Sequence, residues 1–381
     1  MPGRPFTVTV LLVVLVVTAA AHAFPAEDIS QEVQDLVKKM RHHGDWGVRG
    51  RAAEMLGYVG DQAVLSDMAE CFNWHPPEFA EKITEALGRL GGERALRVLT
   101  TLLRNRYHLQ GWNGEQLRLL GEAVGRIDHE KKEVLDLMRN RHEKGCEYSE
   151  GKPEPEMLFC MAWYGDDKAV AALVNEMKTA DPKRQHLVAE RLGEIGNRKA
   201  DEEMCMLVDY SEDKTLRKVC ALSLGRRRAR LAVESLLDAL AAGLELEASQ
   251  ALGMIGDRQA VAELKPLLLH KSDVVKLNVA FALARLGDKS GVEFAKGQLE
   301  SQDTLTKTKA AATLLAAGEE NGLAKLKEVW TTLDAKERYW FIMDNLKGDA
   351  WATDFLKEVA ASDKYPGTRQ TAAEALEKTK E

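Results

Sequence analysis

The sequence predicts an all-α protein, a right-handed α–α superhelix (solenoid) of about ten stacked helical hairpins. Three observations lead there. Aromatics supply only 6% of the 381 residues, while Ala, Leu, Glu and Lys recur throughout, a mixture that suits helix better than sheet. A pattern Leu-Gly-x-Ile/Val-Gly-Asp recurs, clearest at Leu56–Asp61, Leu192–Asn197 and Leu252–Asp257, and at Leu283–Asp288 with Ala in place of the first Gly. Its anchors are Gly60, Gly91, Asp128, Gly165, Gly196, Arg228, Gly256, Gly287, Gly318 and Gly348, and they return about every 31 residues. A fixed period of that length is the signature of a stacked repeat.

Before the repeats comes a targeting segment. Arg4 precedes an apolar run from Val8 to Val17, and Ala21-His22-Ala23 fits an A-x-A cleavage pattern. Residues 1–23 therefore read as a signal peptide, because the run is shorter than the ~20 residues a spanning helix needs. The expected mature chain begins at Phe24 and is exported, to the periplasm or outside the cell, with no integral membrane span left after cleavage. Residues 24–44 are expected to hold an N-terminal capping helix, 45–362 the repeats and 363–381 a polar capping helix.

Within a repeat the pattern reads as a hairpin. Leu244, Ala248, Ala251, Leu252 and Ile255 form one apolar stripe at helical spacing. Gly256 can end that helix with positive φ, and Asp257 can cap the next one. An acid stands fifteen residues before several anchors, at Asp45, Asp181, Asp213 and Asp303, where it suits the first helix's N-cap and dipole. A base is frequent four residues later, at Arg49, Arg217, Lys276 and Lys307. One hairpin cannot bury both stripes, so neighbours must stack. Trp163 and Trp330 are expected in the core, and Tyr339, Trp340, Phe341 and Trp351 are expected to close the array's end, with self-association the alternative use of that cluster.

The run Asp45-x-x-Val48-Arg49-x-x-Ala52-Ala53-x-x-Leu56-Gly57-x-x-Gly60-Asp61 resembles the short HEAT-like repeat named after phycobilisome lyases. The resemblance extends from about Asp45 to Ser362 and implies polar ladders of Asp and Arg between successive repeats. Copies at Gly91, Asp128 and Gly348 depart from the pattern. One enzyme with similar repeats, deoxyhypusine hydroxylase, implies His-Glu pairs binding two irons at a fixed slot of the first helix. Here those slots hold Gly50-Arg51, Glu81-Lys82, Arg118-Leu119, His186-Leu187 and Leu246-Glu247. None has both residues, and His129-Glu130 and His142-Glu143 lie elsewhere. Lyase-type activity with an unrecognised site is the alternative that the repeat's name carries, and export argues against it.

No P-loop, G-x-S-x-G, G-x-G-x-x-G or H-E-x-x-H occurs, so the sequence points to no cofactor, metal or catalytic residue. With 53 basic against 60 acidic residues and a net charge of −7, nucleic acid is not the expected partner. Six histidines, His42, His43, His75, His108, His142 and His270, lie near connections between repeats, where the helix-end dipole accounts for them better than a metal does. The five cysteines are Cys71, Cys146, Cys160, Cys205 and Cys220. Cys146 with Cys160, and Cys205 with Cys220, are candidate bridges; equally, all can be small buried side chains.

Irregularity carries the functional expectation. The spacing widens to 37 from Gly91 to Asp128 and again from Asp128 to Gly165. The inserted connections, with the preceding one, bring Trp74, His75, Tyr107, His108, Trp112 and Tyr148 to one edge. Insertions in such arrays tend to map to a binding face, and aromatics anchor interfaces. The rings can instead fold back over helix ends. Arg226-Arg227-Arg228-x-Arg230 replaces the usual Gly-Asp turn. It reads either as a site for an acidic or phosphate-bearing partner or as a solvated turn beside Glu212 and Asp213. The expected function is a non-catalytic scaffold that binds a protein partner.

Overall fold

The computed structural model describes residues 30–71, 77–104, 114–127, 132–144 and 157–378. Among them it is all-α, with no strand, and built of stacked helical hairpins. Helix α1 is Ser30–His42. The first hairpin is α2 (Trp46–Val59) and α3 (Leu65–Cys71), followed by α4 (Pro77–Leu90) and α5 (Gly92–Arg104), α6 (Gly114–Ile127) and α7 (Lys132–Lys144), and α8 (Met157–Trp163) and α9 (Asp167–Thr179). Next come α10 (Pro182–Ile195) and α11 (Arg198–Tyr210), α12 (Lys214–Arg226) and α13 (Val233–Ala241), and α14 (Glu245–Ile255) and α15 (Val261–Leu264). The remainder are α16 (Asp273–Arg285) and α17 (Val292–Gln298), α18 (Thr304–Ala316) and α19 (Gly322–Trp330), α20 (Ala335–Phe341) and α21 (Thr353–Ser362), and a last helix, α22 (Pro366–Lys378). Nine of the ten sequence anchors follow the first helix of a hairpin, and the tenth, Asp128, lies outside the described residues.

The acids expected at N-caps are there. Asp45 accepts from the Val48 amide at 2.9 Å, Asp181 from Arg184 at 3.2 Å, Asp213 from Thr215 at 2.8 Å and Asp303 from Thr306 at 2.7 Å. At the other end Gly256 turns the chain with φ 81°, its amide bonded to the Leu252 carbonyl. The basic residues behave differently from a simple Asp–Arg ladder. Arg49 Nε donates to the Met40 carbonyl at 2.6 Å, and Arg217 Nε donates to Val208 at 2.8 Å. Each arginine thus satisfies a carbonyl in the last turn of the preceding helix, where such groups lack intrahelical partners.

The Leu-Gly step has a packing cause. A Cβ on Gly253 would lie 2.8 Å from both Cα and Cβ of Ala282, one repeat further on. Gly57 meets Ala86 and Gly225 meets Ala251 at 2.7 and 2.6 Å in the same way, and Gly193 meets Ser223 at 2.5 Å. The receiving residue in each case is the small one just before the next Leu. First helices therefore cross their successors at a small-Leu-Gly triplet, backbone nearly against backbone.

The chain divides into two compact units. Unit 1 comprises the described residues up to Leu90 and from Trp330 onward; unit 2 runs from Gly91 to Val329. In unit 1 the first repeat packs against the last. Tyr58 meets the Tyr339 ring edge-on at 5.2 Å, and Lys336 pairs with Glu54 at 3.1 Å. Gly367 approaches so closely that a Cβ there would lie 2.3 Å from the Tyr58 carbonyl oxygen. Tyr339 thus packs on the chain's own first repeat, Phe341 is buried against Trp330, and Trp340 stays partly exposed.

A buried network holds the C-terminal part of unit 1. Arg338 makes two bonds to Asp363, at 3.0 and 2.9 Å, and Trp330 Nε1 donates to the same carboxylate at 2.7 Å. All three side chains are buried, and the Tyr365 amide takes the remaining Asp363 lone pair at 2.9 Å. Trp330 is core, as expected; Trp163 is half-buried.

In unit 2 one hairpin departs from the rule. Arg228, at φ 53°, stands where other repeats place a positive-φ glycine. A non-glycine residue there costs about 1–2 kcal/mol. The following residue, Ala229, makes no side-chain capping bond, unlike Asp257 in the next repeat.

Candidate functional site

The six residues singled out from the sequence, Trp74, His75, Tyr107, His108, Trp112 and Tyr148, all lie outside the described residues, as does Cys146. The connections between successive hairpins that lie within the described residues show how such turns are built.

Successive hairpins are joined by one recurring turn. The Asp213 amide donates to Ser211 Oγ at 3.2 Å, and Asp303 repeats this with Ser301 at 3.2 Å. In the connection before α16 the acceptor is a histidine: the Ser272 amide donates to His270 Nδ1 at 3.0 Å. Unit 1 uses the same device, His43 Nδ1 accepting from the Asp45 amide at 3.0 Å. Two of the edge histidines are therefore turn acceptors. Among the described residues no group of three His, Cys, Asp or Glu is placed to hold a metal ion.

The tight turn fixes what precedes and follows it. Tyr210 and Leu269 stand immediately before the acceptor, and Val274 and Leu305 stand two residues past the turn's closing amide, 31 positions apart. All four are exposed, at 75%, 91%, 59% and 49%. Single exposed apolar residues are ordinary, but a row at matched repeat positions is not. Sequence reasoning missed them because it followed insertions. The available signal was an apolar residue at the N-terminal end of a first helix, a position that packing cannot reach.

Beside this edge the first helices are tied across repeats. His186 Nε2 lies 2.7 Å from Asp213 Oδ2, Lys218 pairs with Glu247 at 2.8 Å, and Lys309 donates to Asn278 at 2.7 Å. The His186 bond, then the Leu216 amide, holds the Asp213 carboxyl below its ordinary range. Three of the slots read for His-Glu pairs thus carry structural ties: His186, Glu247 and Arg118, whose guanidinium pairs with buried Glu122 at 2.5 Å. Polar ladders between repeats are present, built from His186–Asp213, Lys218–Glu247 and Lys309–Asn278 rather than from Asp with Arg alone.

The four described cysteines, Cys71, Cys160, Cys205 and Cys220, are all buried. Cys205 and Cys220 are buried and unbridged, so the candidate bridge between them is absent. Burial raises the Cys205 thiol to about 11 and pushes Cys220 up further. Cys160, also buried, donates to the Arg118 carbonyl at 3.1 Å. Thiols held protonated are poor nucleophiles.

Hairpins stacked through small-Leu-Gly crossings, with capped helices and a regular connecting turn, define an α-helical repeat protein. Two family models place it more closely: HEAT repeats match residues 33–109, and the PBS lyase HEAT-like repeat matches residues 246–270. The chain is a HEAT-like repeat protein. None of the curated proteins compared with it matches. Among solved structures, human deoxyhypusine hydroxylase in complex with glycerol is 15% identical, covering 76% of this chain and 97% of its own, with a TM-score of 0.31. An engineered protein is 19% identical over 75% of this chain and 96% of its own, with a TM-score of 0.25. A mutant of Kap121p is 11% identical, over 95% of this chain and 52% of its own, with a TM-score of 0.32. At such scores no activity is carried across. No helix among the described residues is long and apolar enough to cross a membrane.

Proposed function

We propose that the protein is a non-catalytic scaffold that binds a protein partner along the edge formed by the connections between repeats. The observation that carries this reading is the row of Tyr210, Leu269, Val274 and Leu305, exposed at matched positions on a turn that recurs with them. A repeated rigid turn presents side chains at regular intervals with little conformational entropy left to lose on binding. The inserted connections with Trp74, His75, Tyr107, His108, Trp112 and Tyr148 are assigned the same role from the sequence, as aromatic anchors for the partner. His186, Glu247, Cys160, His43 and His270 are each engaged in bonds that hold the fold, which supports a binding role for the surface.

The proposal includes export of the chain after removal of residues 1–23; an N-terminal sequence beginning elsewhere than Phe24 would refute that cleavage. The binding role is tested by Trp74→Ala combined with Trp112→Ala. Partner capture should weaken at unchanged helical content, whereas loss of helicity would mean that the rings merely cover helix ends.

A further inference from the structure

The opposite edge of unit 2 carries the turns within hairpins, and three successive ones are basic. The first supplies Arg198 and Lys199, the second Arg226, Arg227, Arg228 and Arg230, and the third Arg258. All but Arg228 are exposed. These turns lie side by side: a Cβ on Gly196 would strike the Arg227 guanidinium, and Gly225 sits against Ala251 and Met254 at the end of α14. Acidic residues on the same edge are Glu194, paired with Arg191 at 3.3 Å, Glu202, paired with Arg198 at 3.1 Å, Asp257, which caps the Gln259 amide, and exposed Glu234. Arg227 also reaches Asp201, at 3.5 Å. The bases outnumber the acids in a chain whose overall charge is −7.

The middle turn is where the repeat sets aside its own rules. It forgoes the positive-φ glycine, holding Arg228 in the strained left-handed region, and forgoes the capping Asp, leaving Ala229 without a capping bond. Both features stabilise the neighbouring hairpins. Local strain retained against an evident alternative is a mark of function. The residues gained are arginines, whose planar forks suit carboxylates in pairs. Among them stands Leu231, exposed and apolar. Among the described residues no exposed aromatic ring stands with these arginines to stack a nucleobase, and the patch ends within three turns.

We infer that this edge receives an acidic polypeptide segment of the partner, with carboxylates on Arg226, Arg230 and Arg258 and an apolar side chain against Leu231. The inference rests on the scaffold reading and names the partner's chemistry. A fluorescein-labelled peptide of twelve residues, glutamates interrupted by leucines, serves as the probe of the full chain in fluorescence anisotropy. Binding should weaken as salt is raised. The R226E/R230E/R258E variant should bind at least tenfold more weakly, at unchanged circular dichroism, while K271E/K307E on the other edge should bind within twofold of the parent. Equal binding by the R226E/R230E/R258E variant, or no binding by the parent at low salt, overturns the inference; so does tighter binding of a single-stranded oligonucleotide of matched charge. A captured partner that the arginine variant retains overturns this inference but leaves the scaffold reading standing. Failure of the parent to capture any partner, with the peptide still held by the arginines, overturns the scaffold reading alone.

Discussion

Replacing Gly253 with alanine sets two effects of similar size against each other. In an unconstrained helix the change is favourable, because glycine costs about 1 kcal/mol relative to alanine. Here the added Cβ would lie 2.8 Å from Cα and Cβ of Ala282, where carbon atoms settle at about 3.5–4.0 Å. Helices α14 and α16 must therefore separate by roughly 1 Å, and overpacking of that kind costs about 1–3 kcal/mol. At the middle of that range the cost wins, leaving a net loss of about 1 kcal/mol, or about 2–4 °C in Tm for a unit of this size. Gly297, in α17 of the same unit, has nothing within 4 Å of its would-be Cβ, so Gly297→Ala should be neutral or gain up to about 0.5 kcal/mol. Thermal melts followed by far-ultraviolet circular dichroism compare the two. If Gly253→Ala melts at or above the parent, alongside Gly297→Ala, the crossing explanation of the Leu-Gly step is wrong.

Three further changes probe other parts of the account. Removing one partner of the buried Arg338–Asp363 pair, by Asp363→Ala, should cost about 3–5 kcal/mol because Arg338 is left charged and buried; urea melts would show a drop that Arg338→Met in the same chain partly restores. Burial raises the Asp288 carboxyl, but Lys265 at 2.8 Å and the Ser290 hydroxyl and amide outweigh it and hold the group at about 2. Its folded value lies below its unfolded one, so its contribution is whole above pH ~4 and is lost as pH falls toward ~2; Asp288→Asn should cost about 1 kcal/mol near neutrality after screening by solvent and flatten the acid limb of a stability–pH curve. Gly367→Val places carbon against the Tyr58 carbonyl and should release α22 from α2, read as faster hydrogen exchange in both helices; unchanged protection there would show that the first and last repeats do not depend on this approach.

Much of the architecture is legible in the residues. Eight of the ten anchors are glycines of positive φ that end first helices, and they are legible because glycine's φ and a following cap act locally, within a few residues, and local rules are what a sequence displays. The capping of α2, α10, α12 and α18 by Asp45, Asp181, Asp213 and Asp303 follows the same logic. What escaped was non-local. Nothing in the spelling of Arg49 says that its guanidinium turns back to Met40, and nothing in Gly367 announces Tyr58, some 300 residues away along the chain. The His186–Asp213 tie needed the stagger between neighbouring helices. The exposed row was overlooked for another reason: Leu269 and Val274 look like core residues until the turn at His270 fixes which way the chain faces.

The most direct test of the scaffold reading is quantitative capture by the intact chain and by a variant carrying Tyr210→Ser, Leu269→Ser, Val274→Ser and Leu305→Ser. All four side chains are exposed, so the variant should keep its helical content and melting temperature within about 0.5 kcal/mol of stability per site. The account predicts that the parent retains the same protein reproducibly and that the variant loses it at least tenfold. A folded variant that retains the partner at parental strength would contradict it.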